Sequence, residues 1–365
     1  MIRFYSNYFY NTPNVQEQYE SDYQNIFSIF ASNTKCTKYK EMVTKCKVVL
    51  PQLENICKIP GFPKNFNELI ILRPKIIAEI YAYYLNSKNI TFKNLLDQNF
   101  RPQQKDKNGN LLYNQNGNPK YKYILDYTYS EYSEAIAQFF IDNEPNGFFT
   151  VSTCNYCNMS YINTFEYINK KDGTKETRRT YDLDHFIPKS KCSLFALCLY
   201  NFVPSCKVCN QLKSDDIDFS KLSCHQIEML FPTSQNYNYE ESIKFRIRHK
   251  NLKDFPSFGF LKDSNGKDIR NDFNIVIEKN KNSWLYEDYE KNEFKINERY
   301  ETHKTEFLNY MEKHHKYPHT FFLLFSQSLP VYNAEELKEA IFNVKLRNNE
   351  RQIFQKIYND LDEQF

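Results

Sequence analysis

Two Cys-x-x-Cys pairs constrain the fold of this chain more than any other feature of its sequence. The first pair is Cys154 and Cys157, and the second, Cys206 and Cys209, begins 49 residues after the first pair ends. Each pair places two thiols on one tight turn, so the two pairs together can complete a closed tetrahedral zinc shell. They lie further apart than in a compact zinc finger, so the metal would tie distant segments together. A redox role for either pair is the alternative.

The remaining cysteines form no further pair of this kind. They occur singly, at Cys36, Cys46, Cys57, Cys192, Cys198 and Cys224. The amino terminus, MIRFYSNYFYNTPN, has neither an uninterrupted apolar stretch nor a small-residue cleavage site, so we expect no secretory signal and a cytoplasmic location. In that compartment the cysteines are expected to be free thiols. No apolar run approaches the roughly 20 residues that span a bilayer, so no membrane partner is expected.

Composition indicates a folded protein but identifies no partner. The chain has 365 residues, of which 41% are apolar and 17% aromatic. That is enough for the core of one large domain or of two or three smaller ones. The net charge of +3 neither requires nor excludes a polyanionic ligand. Nucleic-acid binding can therefore be inferred only from local clusters of charge.

Residues 1–147 are predicted to form a helical N-terminal region. Thr12 followed by Pro13 is typical of an N-cap and a first-turn proline, and apolar residues recur at helical spacing after them. A second helix is predicted over residues 37–50. It should end at Pro51, because proline lacks the backbone N–H that a helix interior needs.

A β-hairpin is predicted near residues 106–123, inside this helical region. Two Asn-Gly dipeptides occur there eight residues apart, and Asn-Gly favours the tight turns of hairpins. The hairpin is either a solvated surface feature or a finger that binds a partner, and the sequence leaves both open.

Beyond residue 147 the pattern changes to short strands. We place one module at residues 148–232 and an α+β region that ends in helices at residues 233–365. In the latter, KFRIR (residues 244–248) alternates strictly between apolar and basic side chains, and FNIVI (residues 273–277) is a further strand. The predicted fold class is therefore α+β, mostly helical.

The stretch between the cysteine pairs contains groups suited to hydrolysis. YDLDHFIPKSK, at residues 181–191, sets Asp184 directly against His185, Asn201 follows before the second pair, and Asn210 comes directly after it. Cleaving a phosphodiester needs a base for water, a divalent ion to neutralise charge and a group that orients the base. In an ideal strand Asp184 and His185 point to opposite faces. Both can reach one phosphate only if the strand ends or distorts there.

The order C-N-Y-C, D-H-F-I-P-K-S, Y-N-F-V-P-S-C-K-V-C-N-Q-L-K resembles the HNH, or ββα-metal, endonuclease motif in its zinc-bound form. The resemblance covers about residues 148–213, and at most extends to residue 232, which is under a quarter of the chain. It implies structural zinc on the four cysteines. The other implied roles are Asp184 and Asn210 as ligands of a catalytic Mg or Mn ion, His185 as general base, and Asn201 as the brace of the loop that orients His185.

The resemblance implies hydrolysis of DNA by one metal ion, leaving 5′-phosphate and 3′-hydroxyl ends. Some bacterial HNH proteins of similar build act in anti-phage defence beside an ATPase, as in Septu-type systems, so a partner ATPase is a further implication. One alternative is a zinc-stabilised module that binds nucleic acid or protein and keeps only a vestigial nuclease cleft. Another is a thiol oxidoreductase with reversible disulfides at the cysteine pairs.

Basic residues near this motif and on the later strand are predicted to contact phosphates. They are Lys189, Lys191, Lys213, Arg178, Arg179, Lys244, Arg246 and Arg248. Each of them, taken singly, is equally explained as an ordinary solvated cation.

Overall fold

The structure is a computed structural model, and helices alternate in it with antiparallel two-stranded sheets. This mixture confirms the predicted α+β class with helix predominant. Within the part of the chain that is described, no helix is both long and apolar enough to cross a bilayer. The described residues are 5, 7–31, 37–86, 89–117, 119–121, 124–143, 153–170, 173–213, 218–250, 261, 268–279, 285–286, 294–328, 333–342 and 353–363.

The described residues of the N-terminal part form seven helices. Helix α2 begins at Pro13 as predicted, and the Thr12 carbonyl accepts the first backbone N–H bonds. Buried rings hold the helices together, for example Tyr19 and Tyr23, which both pack on Phe139 with centroids 4.7 and 5.2 Å away. The helices are α1 Asn7–Asn11, α2 Pro13–Ala31, α3 Thr37–Cys57, α4 Phe66–Ile70, α5 Pro74–Asn86, α6 Ile90–Phe100 and α7 Ile124–Asn143.

The prediction that the second helix ends at Pro51 is wrong. Helix α3 continues through this proline to Cys57. Pro51 removes one backbone hydrogen bond, at a cost of about 3 kcal/mol. Leu50 and Leu53 on either side of it are fully buried, and burial of each leucine is worth about 2 kcal/mol. Packing therefore overrides the local preference of the proline.

Residues 103–121 form three short antiparallel segments in the region of the predicted hairpin. Lys105 bridges to Leu111, and Tyr113 bridges to Pro119. The glycines of both Asn-Gly pairs, Gly109 and Gly117, take φ values of 84° and 77° in the connecting turns, a conformation that glycine adopts at little cost. Whether this meander binds a partner stays a prediction.

The module between the two larger parts contains two small sheets and a short helix. Strand β1 (Thr164–Ile168) pairs with β2 (Lys175–Arg179), and β3 (Asp182–His185) pairs with β4 (Phe202–Ser205), both antiparallel. Helix α8 (Lys207–Lys213) follows β4 directly. The long loop between β3 and β4 packs against the N-terminal helices.

The C-terminal part confirms the two predicted strands, which pair with each other. Strands β5 and β6 are antiparallel, and buried residues alternate with more exposed ones along β5. Asp360 accepts the backbone N–H of Phe245 at 2.8 Å, which fixes the last helix against this sheet. Helix α9 (Cys224–Leu230) lies at the end of the central module. The described elements that follow it are α10 Tyr239–Ser242, β5 Ile243–His249, β6 Phe273–Lys279, α11 Ile296–Glu301, α12 Lys304–Lys316, α13 His319–Ser328, α14 Ala334–Phe342 and α15 Gln355–Asp362.

Candidate metal centre and active site

Four cysteines meet in the interior of the protein. The sulfurs of Cys154, Cys157, Cys206 and Cys209 all lie within 4.8 Å of one another, and each residue is buried. The Cys157 and Cys206 sulfurs are 3.9 Å apart, close to the roughly 3.8 Å edge of a tetrahedron with 2.3 Å zinc–sulfur bonds. Two segments remote in sequence thus form a cluster that could hold a metal ion such as zinc, as their spacing predicted.

Each of the four sulfurs accepts one N–H donor. The donors and distances are the Cys206 amide to Cys154 at 3.2 Å, the Met159 amide to Cys157 at 3.4 Å, the Cys209 amide to Cys206 at 3.5 Å, and the Arg299 guanidinium to Cys209 at 3.2 Å. Such donors stabilise a thiolate more than a thiol. Hydrogen bonds among the cysteines, that from Cys154 first, lower the pKa of Cys157 and Cys206, whereas burial raises the pKa of Cys154. The arrangement of the sulfurs and their N–H donors, rather than these pKa shifts, carries the comparison with a zinc site. The four-sulfur donor set therefore fits Zn²⁺.

The backbone around the first pair explains why it closes into a turn. The Cys154 amide donates to the Ser160 carbonyl at 2.8 Å, and the Asn158 amide donates to the Cys154 carbonyl at the same distance. Asn158 has φ 53°, a left-handed conformation that asparagine tolerates better than most residues. Asn158, directly after Cys157, was a signal for this turn that our prediction did not use.

The C-terminal part contacts this cluster through residues that no motif signalled. Besides the Arg299 contact, the Tyr300 hydroxyl donates to the Cys157 carbonyl at 2.8 Å. The Phe354 amide donates to the Asn158 carbonyl at 2.7 Å. Tyr300 and Cys157 lie 143 residues apart in sequence, and Arg299 and Cys209 lie 90 apart. The four-cysteine cluster therefore joins the C-terminal helices to the central module.

Asp184 lies on β3, buried beside the four-cysteine cluster. One carboxylate oxygen, Oδ2, accepts the Tyr156 hydroxyl at 2.6 Å and lies 2.7 Å from the Lys213 ammonium. Tyr156 sits between the first two cysteines, and its ring stacks on Phe294 at 4.6 Å. The cysteine turn and the carboxylate are thus connected by one side chain.

His185 has partners different from those of Asp184. Its ring lies 5.0 Å from that of Phe202, the residue opposite it on β4, and its Nε2 is 2.9 Å from the Ala196 carbonyl oxygen. A carbonyl only accepts, so Nε2 carries the hydrogen and Nδ1 of the neutral ring carries the lone pair. Burial lowers the pKa of His185 to about 4, although the bond to Ala196 raises it. The imidazole is therefore a neutral base near pH 7.

Asn201 is hydrogen-bonded within the loop that follows His185. Its Oδ1 accepts the Ile187 amide at 2.8 Å, and its Nδ2 donates to the carbonyls of Ile187 and Phe195 at 3.1 Å each. The residue is fully buried. Both the oxygen and the nitrogen of the Asn201 amide are hydrogen-bonded within the loop between β3 and β4, which holds the loop in one conformation.

Asn210, predicted as the second ligand of the divalent ion, is hydrogen-bonded to a carboxylate on β3. Its amide nitrogen donates to Asp182 at 3.1 Å, and Asp182 shares a strand face with Asp184. Two carboxylates and one amide oxygen on neighbouring elements are the hard donors that Mg²⁺ and Mn²⁺ prefer. The donor set fits such an ion in chemistry, and the roles of Asp184 and Asn210 as its ligands stay predictions.

The predicted phosphate contacts fall into different settings. Lys213 is buried, pairs with Asp184 and donates to the His185 carbonyl at 2.5 Å. Lys189 is close enough to His185 to lower its pKa, and Arg179 lies 5.9 Å from the Tyr181 ring. Lys191 is exposed on the loop that follows His185. The other four form ion pairs within the chain: Arg178 with Glu176, Lys244 with Asp360 and Glu363, and Arg246 and Arg248 with Glu278.

Replacing Lys213 by methionine is expected to destabilise the protein by about 3 kcal/mol, because it leaves the Asp184 carboxylate buried without its counter-ion. The Lys213→Met, Asp184→Asn double variant should recover part of that loss. Urea unfolding followed by circular dichroism measures both. Lys221→Met, which removes an exposed cation, is the matched control and should change stability little. Equal stability of the Lys213 and Lys221 variants would contradict the buried ion pair.

No family model, curated protein or solved structure matches this chain. Function is therefore inferred from the side chains of the site and from the motif that they form.

Proposed function

We propose that the protein is a metal-dependent endonuclease of the HNH type, which hydrolyses DNA phosphodiester bonds with His185 as general base. The observation that carries this proposal is the state of His185. Its Nε2 is committed to the Ala196 carbonyl, its ring is neutral, and Asn201 fixes its loop. A neutral imidazole in one tautomer supports the proposal, because its unprotonated nitrogen can accept a proton from water.

In the proposed reaction, Nδ1 of His185 takes a proton from water as the oxygen attacks phosphorus. The bond from phosphorus to the 3′ oxygen breaks and the departing 3′ oxygen takes a proton from solvent, which leaves a 5′-phosphate and a 3′-hydroxyl. Asp184 and Asn210 would hold a divalent ion, Mg²⁺ or Mn²⁺. When bound, this ion would neutralise charge on the phosphate. Lys189, near His185, is suited to bind a neighbouring phosphate.

The four cysteines have a separate role in this proposal. A zinc ion bound by four thiolates has no open position, so it is structural. It would hold the first cysteine turn, and with it Tyr156, against β3 and α8. The Tyr156 hydroxyl then keeps the Asp184 carboxylate in place.

The wider role also remains a proposal. The motif fills under a quarter of the chain, so the flanking helical and α+β parts are available to recognise a DNA feature or another protein. Action in anti-phage defence with a partner ATPase rests only on the resemblance to HNH proteins of that kind.

One observation favours a binding module with a vestigial cleft instead. The Lys213 ammonium lies 2.7 Å from the Asp184 carboxylate, so an internal cation already compensates this charge. In that case the protein would bind nucleic acid or a protein partner without cutting.

A cleavage screen paired with a binding assay separates the two functions. Supercoiled, linear and single-stranded DNA would each be incubated with Mg²⁺, Mn²⁺ or chelator, and binding would be followed by filter retention. We expect cutting with Mg²⁺ or Mn²⁺ and none with chelator. Retention of DNA without cutting under every condition would support the binding module.

A further inference from the structure

A cavity of about 400 Å³ lies beside the candidate active site, and Lys191 is the one lining residue already predicted to contact a phosphate. It is bounded by α5, by the residue after α6, and by the loop that follows His185. Cavities of this volume are typical of small-ligand sites. The lining residues are Tyr81, Tyr84, Leu85, Arg101, Ser190 and Lys191.

The walls of the cavity are fixed to one another. The Ser193 hydroxyl donates to the Phe100 carbonyl at 2.9 Å, which joins the end of α6 to the loop. The Lys191 amide donates to the Pro188 carbonyl at 2.9 Å. On the α5 side, Phe219 packs edge-on against the Tyr81 ring with centroids 5.8 Å apart. The cavity is thus formed by the fold itself.

One part of the lining is polar and suited to an anion. Arg101 lies over the Tyr121 ring at 4.2 Å, which orients its guanidinium, and Lys191 is exposed on the loop. The Ser190 hydroxyl is buried and has no hydrogen-bond partner among the described residues. The nearby acids are Asp97, which accepts the Tyr84 hydroxyl at 3.2 Å, and Asp218, an exposed residue that is close to Lys191. The oxygens of a phosphate would accept hydrogen bonds from Arg101, from Lys191 and from the Ser190 hydroxyl.

The other part of the lining is aromatic. The Tyr81 and Tyr84 rings are nearly parallel, 14° apart with centroids at 6.4 Å, and Leu85 extends this apolar side. Tyrosine rings are the surfaces on which nucleobases stack, at about 1–3 kcal/mol per base. A phosphate site beside an aromatic wall matches the two chemical halves of a nucleotide.

We infer that this cavity binds a nucleotide, with its phosphate at Arg101, Ser190 and Lys191 and its base against Tyr81 and Tyr84. The same chemistry is offered by a free mononucleotide and by one nucleotide of a strand. The inference rests on these residues alone and does not depend on cleavage.

Binding to the full-length, zinc-loaded protein in magnesium-free buffer tests the inference. The probes are the four deoxynucleoside monophosphates and a single-stranded decanucleotide, titrated by calorimetry. Arg101→Met should weaken binding about ten-fold or more by removing charge-assisted bonds. Ser190→Leu should weaken it by filling the cavity from another wall. Lys75→Met removes an exposed cation of α5 and should bind like the unaltered protein.

The probes distinguish the sources of the nucleotide. Binding of a monophosphate that is lost in both cavity variants indicates a free nucleotide, and loss confined to the decanucleotide indicates a strand. The inference is overturned if no probe binds, or if the cavity variants bind as well as Lys75→Met. A monophosphate has no phosphodiester to cut, so these results hold whether or not the protein cleaves DNA.

Discussion

Removal of metal from the four-cysteine cluster is expected to unfold the central module and to release the C-terminal helices from it. Structural zinc contributes roughly 10 kcal/mol or more in small zinc-binding peptides, which is comparable with the whole stability of a typical domain. Here the cluster joins the first cysteine turn to α8, and Arg299 and Tyr300 contact it from α11. We expect one zinc per chain by elemental analysis, and loss of the cooperative thermal transition after chelation.

Hydrogen exchange at single amides tests the same prediction near the four-cysteine cluster. The amides of Cys206, Phe354 and Lys356 are bonded to the cluster or to Asn158, so they should lose protection when zinc is removed. Cys206→Ser should reproduce the effect. Cys224→Ser, at an exposed thiol, is the matched control and should bind zinc and melt normally. A metal-free protein that melts as the zinc-loaded one does would contradict a structural role for the metal.

Replacing His185 by alanine is expected to lower the rate of DNA cleavage by about 10²–10⁴-fold, the usual contribution of a general base. The variant removes the imidazole while leaving the predicted ligands Asp184 and Asn210 in place. Binding of DNA should persist, because the base makes little contribution to affinity for the phosphates. Nicking of supercoiled plasmid, with rates measured at saturating Mg²⁺, gives the effect on the chemical step.

The control for this variant is His225→Ala. His225 is a largely exposed histidine, with 68% of its side chain accessible, and its loss should leave the cleavage rate unchanged. His225→Ala should melt like the unaltered protein, and His185→Ala should keep a cooperative transition at a lower temperature, because it removes a buried, hydrogen-bonded ring. Equal cleavage rates for the two variants would remove His185 from the role of base.

Part of the candidate site and of the fold could be predicted from the sequence. Strict alternation predicted β5, and an N-cap with a first-turn proline predicted the start of α2. In these elements neighbouring residues determine the conformation, so a short window of sequence carries the information. The four-sulfur cluster joins remote segments, and it was predicted because zinc needs four ligands and each cysteine pair supplies two; these sulfurs do meet.

Contacts between distant segments could not be predicted in this way. No sequence pattern indicated that Arg299 donates to Cys209 or that Tyr156 donates to Asp184. These contacts form only when separate elements pack together. Lys213 was predicted to face a phosphate, yet it is buried in an ion pair. Pro51 was expected to end a helix that instead continues. Tertiary packing decides each of these outcomes, and packing energy is not visible in a local pattern.

Nicking of supercoiled plasmid by the purified protein, after elemental analysis has shown one zinc per chain, decides whether the chain is a nuclease. We expect open-circular DNA with Mg²⁺ or Mn²⁺, none with chelator, and 5′-phosphate ends that a ligase can reseal. Plasmid that stays supercoiled with every divalent ion, while the zinc-loaded protein remains folded and retains DNA on a filter, would contradict it.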